Sequence, residues 1–315
     1  MPDLILHQYA DSPFSEKIRA LFGYKGLAYK SVDIPPIMPK PDLTALTGGY
    51  RRTPVMQQGA DIFCDTALIA KVIESEKGEP SIFGGPRSAQ AVAAARWADS
   101  EFFRVCVGLV FQPAAVAANP RFADSKAAEA FIKDRAAFTA GSPGLATPLP
   151  RAEAVFREHL GAMEETLLTQ DFLGGSSPDV SDFSHWHCCW FVHRQAVLRH
   201  YFETFPAVSA WLERMQRFSD EPVATPMSGA EAIEVARSSD PAAIDEPQID
   251  PLLNIDAEAS VQVMPTDYGF QAVTGQLLVV DDNRIIVARQ DPQAGQLHVH
   301  FPRYGFEVSL TGEST

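Results

Sequence analysis

The sequence predicts a chain in three parts: an α/β domain, an all-α helical domain and a small all-β C-terminal module. Three observations carry this. Short apolar runs alternate with helical periodicity over residues 1–80, alanine-rich helical pattern dominates residues 87–237, and period-two alternation takes over in residues 251–315. With 315 residues, 46% of them hydrophobic and 21% charged, the chain can bury a large core and divide into two or three domains. A formal net charge of −14 argues against nucleic acid or an anionic membrane as partner, since both demand clustered Lys and Arg. No run approaches the roughly 20 apolar residues of a membrane span, and the chain enters a strand without a signal-peptide pattern, which reads as a cytoplasmic protein.

The first strand is expected at residues 4–8, and Ser12-Pro13-Phe14-Ser15 then opens a helix that ends near Gly26. Ser12 or Ser15 suits the cap, and Pro13 suits the first turn. Four unpaired N–H groups and the positive end of the helix dipole make this junction a place for an anion or a thiolate. A second strand follows at 29–34, then a proline-rich loop (Pro35, Pro36, Pro39, Pro41) and a short helix. Residues 53–57 and 62–64 read as a hairpin, and Asp65-Thr66 opens the next helix. The order βαβ, short helix, ββα implies a mixed sheet covered by helices. The four cysteines, Cys64, Cys106, Cys188 and Cys189, form no CxxC pair and sit among apolar neighbours, so they are expected to be reduced and buried.

These spaced features together resemble the thioredoxin-fold domain of cytosolic glutathione S-transferases. Ser12-Pro13-Phe14-Ser15 enters the first helix, and Lys25-Gly26-Leu27-Ala28-Tyr29 is similar to the family's KGxxY/F turn. Thr53-Pro54 precedes the third strand, and Asp65-Thr66 stands in place of Glu/Asp-Ser. The resemblance implies glutathione as co-substrate, and the spacing of the histidines and cysteines leads to the expectation of no metal cofactor. The resemblance assigns Ser12 to the glutathione sulfur, with Tyr9 as the competing hydroxyl at the strand end. It gives the Thr53 backbone, held before a cis Pro54, to the cysteinyl part, and Asp65 and Thr66 to the γ-glutamyl end. Phe14 joins this set, and Arg52 (or Arg51) stands where related sequences carry a lysine for the glycyl carboxylate. Ser12 and Asp65-Thr66 also read as plain helix caps. With no cysteine at positions 12 or 15, disulfide-exchange chemistry is not expected.

In the helical part, patterns run over residues 88–116, 149–170, 179–199 and 205–218, and Asp179-Val180-Ser181-Asp182 resembles the family's capping element. His185, His187, Cys188, Cys189 and His193 share the helix that follows. Along a helix His185 and His193 stand about 12 Å apart, too far for one ion, and the surrounding aromatics mark a core element. Arg96, Trp97, Phe102, Phe103, Cys106, Val110 and Phe111 are candidates for the wall of an apolar second-substrate pocket, against the plainer reading of core filling. Residues 112–148, with an amphipathic piece at 127–138, depart from compact family members and reshape or cover that pocket.

Residues 238–250 read as a linker, and strands are expected at 261–264, 276–280, 284–289, 296–301 and 306–310, with Asp281-Asp282-Asn283 as a hairpin turn. They predict a small β-sandwich or barrel that docks on the helical domain or a partner, with Leu297, Val299 and Phe301 on one face and His298 and His300 facing solvent. The resemblance does not cover this module. It implies a homodimeric glutathione transferase whose bound thiolate attacks a small hydrophobic electrophile. A non-catalytic binding or interaction protein on the same fold, or a glutathione-dependent peroxidase or isomerase, is the alternative.

Overall fold

The computed structural model describes residues 3–85, 88–220, 223–244 and 248–312. Pro86, in the Gly84-Gly85-Pro86 segment between the first two expected parts, and residues 245–247 of the expected linker lie outside that range. The first unit runs β1 (Leu4–Gln8), α1 (Pro13–Lys25), β2 (Tyr29–Asp33), α2 (Pro41–Thr47), β3 (Val55–Gln58), β4 (Asp61–Cys64) and α3 (Thr66–Glu76), the order the sequence predicts. β1 pairs parallel with β2 and antiparallel with β3, and β3–β4 is the hairpin. Gly26 ends α1 at φ 58°, the left-handed cap that only glycine adopts without a Cβ penalty, and its N–H returns to Phe22 and Gly23. Because side chains alternate along a strand, Leu4 and Leu6 face α1 and α3 while Ile5 faces a second core on the opposite side of the sheet.

The helical part contains α4 (Ser88–Trp97), a π-helical turn (Ala98–Phe102), α5 (Phe103–Val110), α6 (Pro113–Ala118), α7 (Ser125–Thr139), α8 (Leu149–Leu167), α9 (Val180–His193) and α10 (Pro206–Asp220). α9 is the buried element that the sequence anticipates. Its capping box is made by Asp179 and Asp182, and the buried Asp182 carboxylate also accepts from the Trp211 indole at 2.8 Å and the Leu173 N–H at 2.8 Å. Cys106, Cys188 and Cys189 are fully buried in this core, Cys64 lies in the other, and all four are free thiols.

Residues 224–237, expected to close the helical domain, instead return to the first sheet. β5 (Ala224–Met227) pairs parallel with β2, and α11 (Gly229–Arg237) packs on α2. A four-residue, largely exposed strand with Pro226 in it carries no period-two signal, and the edge of β2 supplies what the pattern lacks.

The C-terminal strands are β6 (Gln248–Ile249), β7 (Ser260–Pro265), β8 (Val273–Val280), β9 (Arg284–Asp291), β10 (Gly295–Pro302) and β11 (Phe306–Leu310). β7 to β10 form an antiparallel meander, with β11 on the outer side of β7. The module does not dock as a separate sandwich or barrel on the helices. β10 pairs parallel with β4 (His298↔Asp61, Val299↔Ile62, His300↔Phe63), so one sheet runs β11-β7-β8-β9-β10-β4-β3-β1-β2-β5. β10 is paired on both edges and, with every residue from Leu297 to Pro302 buried, is covered on both faces as well. Leu297, Val299 and Phe301 fill the second core as expected, but His298 and His300 are buried rather than solvent-facing. His300 Nε2 lies 2.7 Å from Asp61 Oδ1, and Asp61 Oδ2 accepts from the Ala242 N–H at 2.8 Å. Burial opposes ionisation of Asp61, yet the His300 hydrogen bond and charge outweigh it and hold the carboxyl below its ordinary value.

Asp61 thus fastens both the strand seam and the chain leading to the module. Asp61→Ala leaves the His300 imidazole and the Ala242 N–H without their acceptor, and urea unfolding is expected to show a loss of about 3 kcal/mol. Amides of β10 should then exchange faster than those of β1.

Candidate active site

The β1–α1 junction opens into a cavity of about 600 Å³ bounded by the first unit, the helical part and the β module. Tyr9, Ser12, Phe14, Arg52, Thr53, Pro54, Asp65 and Thr66, the residues singled out in the sequence, all line it. Ser12, not Ser15, caps α1: its Oγ accepts from the Ser15 N–H at 3.2 Å. The Tyr9 carbonyl accepts from the Ser12 N–H at 3.1 Å, and burial, the largest influence, raises the Tyr9 phenol above its ordinary value against the lowering charges of Arg135 and Arg121. Phe14 packs edge-on against Phe103, ring centroids 4.7 Å apart. The Thr53–Pro54 peptide is cis. Asp65 Oδ1 caps α3 by accepting from the Ala67 N–H at 2.9 Å, and burial raises the Asp65 carboxyl while Arg52 opposes the rise.

The candidate second-substrate wall divides between two helix faces. Arg96 and Phe103 line the cavity together with Val92 and Asp99. Phe102, Cys106 and Val110 point the other way into the core. Trp97 stacks on Phe102, and Phe111 packs on Phe131 and Phe191, so these are packing residues of the helical part. The real wall opposite Phe103 comes from Leu145 and from Phe138 of α7, the helix that the sequence expected to reshape or cover the pocket.

Several cavity residues were not legible beforehand. Lys17, 1% exposed, bridges Asp99 Oδ2 at 2.6 Å and Thr66 Oγ1 at 3.3 Å, and Asp99 Oδ1 lies 2.9 Å from His187 Nε2. Burial opposes the charge on Asp99, but Lys17 and His187 overcome it and set the carboxyl at about 2. Burial likewise opposes the charge on His187, whose imidazole is nonetheless raised to about 9. The neighbouring Cys188 thiol is pushed well above its ordinary value by burial and is neutral in that range, so Asp99 is the charge that holds the imidazolium. Besides His187, which the sequence singled out on its helix, the signals for this network were a lone Asp after an alanine-rich stretch and a Lys on a buried helix face. Lys40 is a second such residue: 4% exposed in the proline loop, it donates to Thr53 Oγ1 at 3.1 Å. Burial, reinforced by Arg135 and Arg51, lowers the Lys40 ammonium to about 8.

Two adjacent arginines each grip one of the segments that roof the cavity. Arg51 pairs with Asp134 of α7 at 2.7 Å. Arg52 is bonded to Asp267 and to the Tyr268 carbonyl of the β module, with its guanidinium 4.0 Å from the Tyr268 ring centroid. The two roof segments meet over the site: Phe138 and Tyr268 are perpendicular at 5.4 Å, and the Gly269 N–H donates to the Phe138 carbonyl at 3.1 Å. Gly269 has φ +67°, and a Cβ there would lie 2.6 Å from Phe138 Cε2, so no larger residue fits without displacing the ring.

Residues 6–81 match the glutathione S-transferase N-terminal domain family and residues 125–214 the glutathione S-transferase C-terminal domain family. A crystal structure of a GST-like protein from Pseudomonas syringae is 38% identical, with 98% of this chain and 100% of that one covered and a TM-score of 0.81, so the likeness extends through the β module. The chain belongs to the glutathione S-transferase-like family, whose members bind glutathione. Among curated proteins, FtsZ-localized protein A of Caulobacter vibrioides is 24% identical over 184 residues, spanning 57% of this chain and 72% of that protein. The β-etherase LigF of a Sphingobium strain shares the fold at 19% identity and a TM-score of 0.52, over 70% of this chain and 98% of its own.

The buried pair gives a pH signature. Below pH 6.5, the ordinary value, both folded and unfolded chains carry the His187 proton and the pair contributes fully. As pH rises toward about 9 the unfolded chain releases that proton first, so stability falls. Urea titrations are expected to show this loss, on the order of 3 kcal/mol across the window, in the native protein and not in His187→Asn.

Proposed function

We propose that the protein is a glutathione transferase in which the thiolate of bound glutathione attacks a hydrophobic electrophile. The observation that supports it most is the convergence of Ser12, Tyr9, Thr53, Pro54, Asp65 and Thr66 on one cavity at the N-terminus of α1. In this reading Asp65 meets the γ-glutamyl ammonium, and Thr66 with the N-terminus of α3 meets the carboxylate beside it. The Thr53 backbone pairs with the cysteinyl unit as an added strand. Arg52 is already occupied by Asp267 and Tyr268, so the glycyl carboxylate falls to Lys40, whose ammonium has a hydroxyl as its hydrogen-bond partner.

The thiol gives its proton to solvent. The Ser12 hydroxyl and the N–H groups and dipole of α1 then stabilise the thiolate. Sulfur donates its electron pair to the electrophilic carbon, the C–S bond forms, and the leaving group departs with the electrons of the bond it breaks. Phe14, Phe103, Phe138 and Leu145 supply an apolar wall that holds the electrophile and excludes water. The free, buried cysteines agree with a reducing, cytoplasmic setting, and a homodimer belongs to the same proposal.

The likeness to FtsZ-localized protein A favours one second reading, an interaction protein on the same fold. Peroxidase or isomerase chemistry would use the same thiolate on another electrophile. Calorimetric titration is expected to give micromolar to millimolar glutathione binding that Asp65→Ala abolishes. With chlorodinitrobenzene as electrophile, Ser12→Ala should lower kcat about 10²-fold while leaving the glutathione KM within a few-fold. Absence of binding to the native protein refutes the transferase reading, and binding without turnover of any electrophile supports the interaction protein.

A further inference from the structure

We propose that the β module completes the glutathione site through Asp267, a positioning residue that holds the Arg52 guanidinium off Asp65 and so keeps Asp65 open to the ammonium of the ligand. This rests on the glutathione reading above.

The two oxygens of Asp65 are in different situations. Oδ1 is committed to capping α3, and Oδ2 is the atom nearest Arg52, 4.0 Å from Nη1 and outside hydrogen-bond distance. Arg52 stays at that distance because the module holds it. Its Nη2 donates to both the Asp267 carboxylate and the Tyr268 carbonyl, and its plane lies against the Tyr268 ring with Phe306 beyond. These partners all come from strands and turns of the module, and a cation cannot be in two carboxylate pairs of good geometry at once. The guanidinium also has donors to spare, since its buried Nε–H has no partner among the described residues.

Without Asp267 the nearest carboxylate to Arg52 among the described residues is Asp65, in a partly buried place where charge pairing is stronger than on the open surface. Arg52 would close on Asp65 Oδ2, and the γ-glutamyl ammonium would find its counter-charge taken. The module therefore contributes to ligand affinity by arranging charge around Asp65, in addition to roofing the cavity.

The test is calorimetric titration of glutathione into the full chain and its variants. Asp267→Asn is expected to weaken binding about tenfold, within the usual range for coupled sites. Asp267→Glu should retain native affinity. Arg52→Gln placed in the Asp267→Asn background should restore binding to within about twofold of native, because the competing cation has gone. The Asp267 side chain is 41% exposed, so Asn is tolerated there, and thermal melts confirm folding of each variant. Unchanged affinity in Asp267→Asn overturns the proposal, as does a double variant as weak as the single one, which would mean the module only braces the fold. Native protein that fails to bind glutathione refutes the underlying reading instead, and binding indifferent to Asp65→Ala removes the role of Asp65 on which Asp267 acts.

Discussion

A strand at the edge of a sheet carries a row of unpaired N–H and C=O groups, and β4 would be such an edge on the side away from β3. β10 closes it in parallel register, and the contribution of the β module to the cavity is placed by that pairing. Asp65 follows β4 directly, so a strand hydrogen-bonded to β4 is held in fixed relation to the cavity. The turn after β10 then delivers Tyr304, Gly305 and Phe306 to the cavity, and the β7–β8 connection delivers Asp267 and Tyr268 to Arg52. The buried Asp61–His300 contact lies at the same seam and joins the two strands through side chains as well.

Charge is distributed against the overall sign of the chain. Although the formal net charge is −14, the cavity is lined by Lys17, Lys40, Arg51, Arg52, Lys71, Arg96 and Arg135 against Asp65, Asp99, Asp267 and Asp282. Most of these cations are tied. Lys17 links α1 to Asp99 between α4 and α5, and His187 brings α9 into the same buried cluster. Desolvating such a cluster is costly, and its value lies in fixing how the helical part meets the first unit. The chain as a whole is acidic, while the cavity lining carries more cations than carboxylates.

Local signals read well where one residue type had one physical use. Gly26 after Lys25, Asp65 before Thr66, and the alternation of Leu297, Val299 and Phe301 each announced their conformations: α1 ends at Gly26, α3 begins after Asp65, and the three alternating residues lie within β10. The face of α4 and α5 was harder, because Arg96, Phe102, Phe103 and Cys106 are equally at home in a core or a pocket wall. His298 and His300 were misplaced for a related reason: alternation separates the two faces of a strand but does not say whether both are covered.

By itself, then, the sequence determined the three-part succession of elements, the helix caps and the residues gathered at the β1–α1 junction, because these depend on interactions a few residues apart or on one spaced motif. The tertiary structure alone decided that β10 adopts the edge of β4, that residues 224–237 return to β2, and that Arg52 faces Asp267 across 215 positions of chain. Backbone hydrogen bonds join any two strands regardless of side chain, and ion pairs need only opposite charges. Neither leaves a periodic mark, so which edges and which charges meet is settled by the packing of the whole chain.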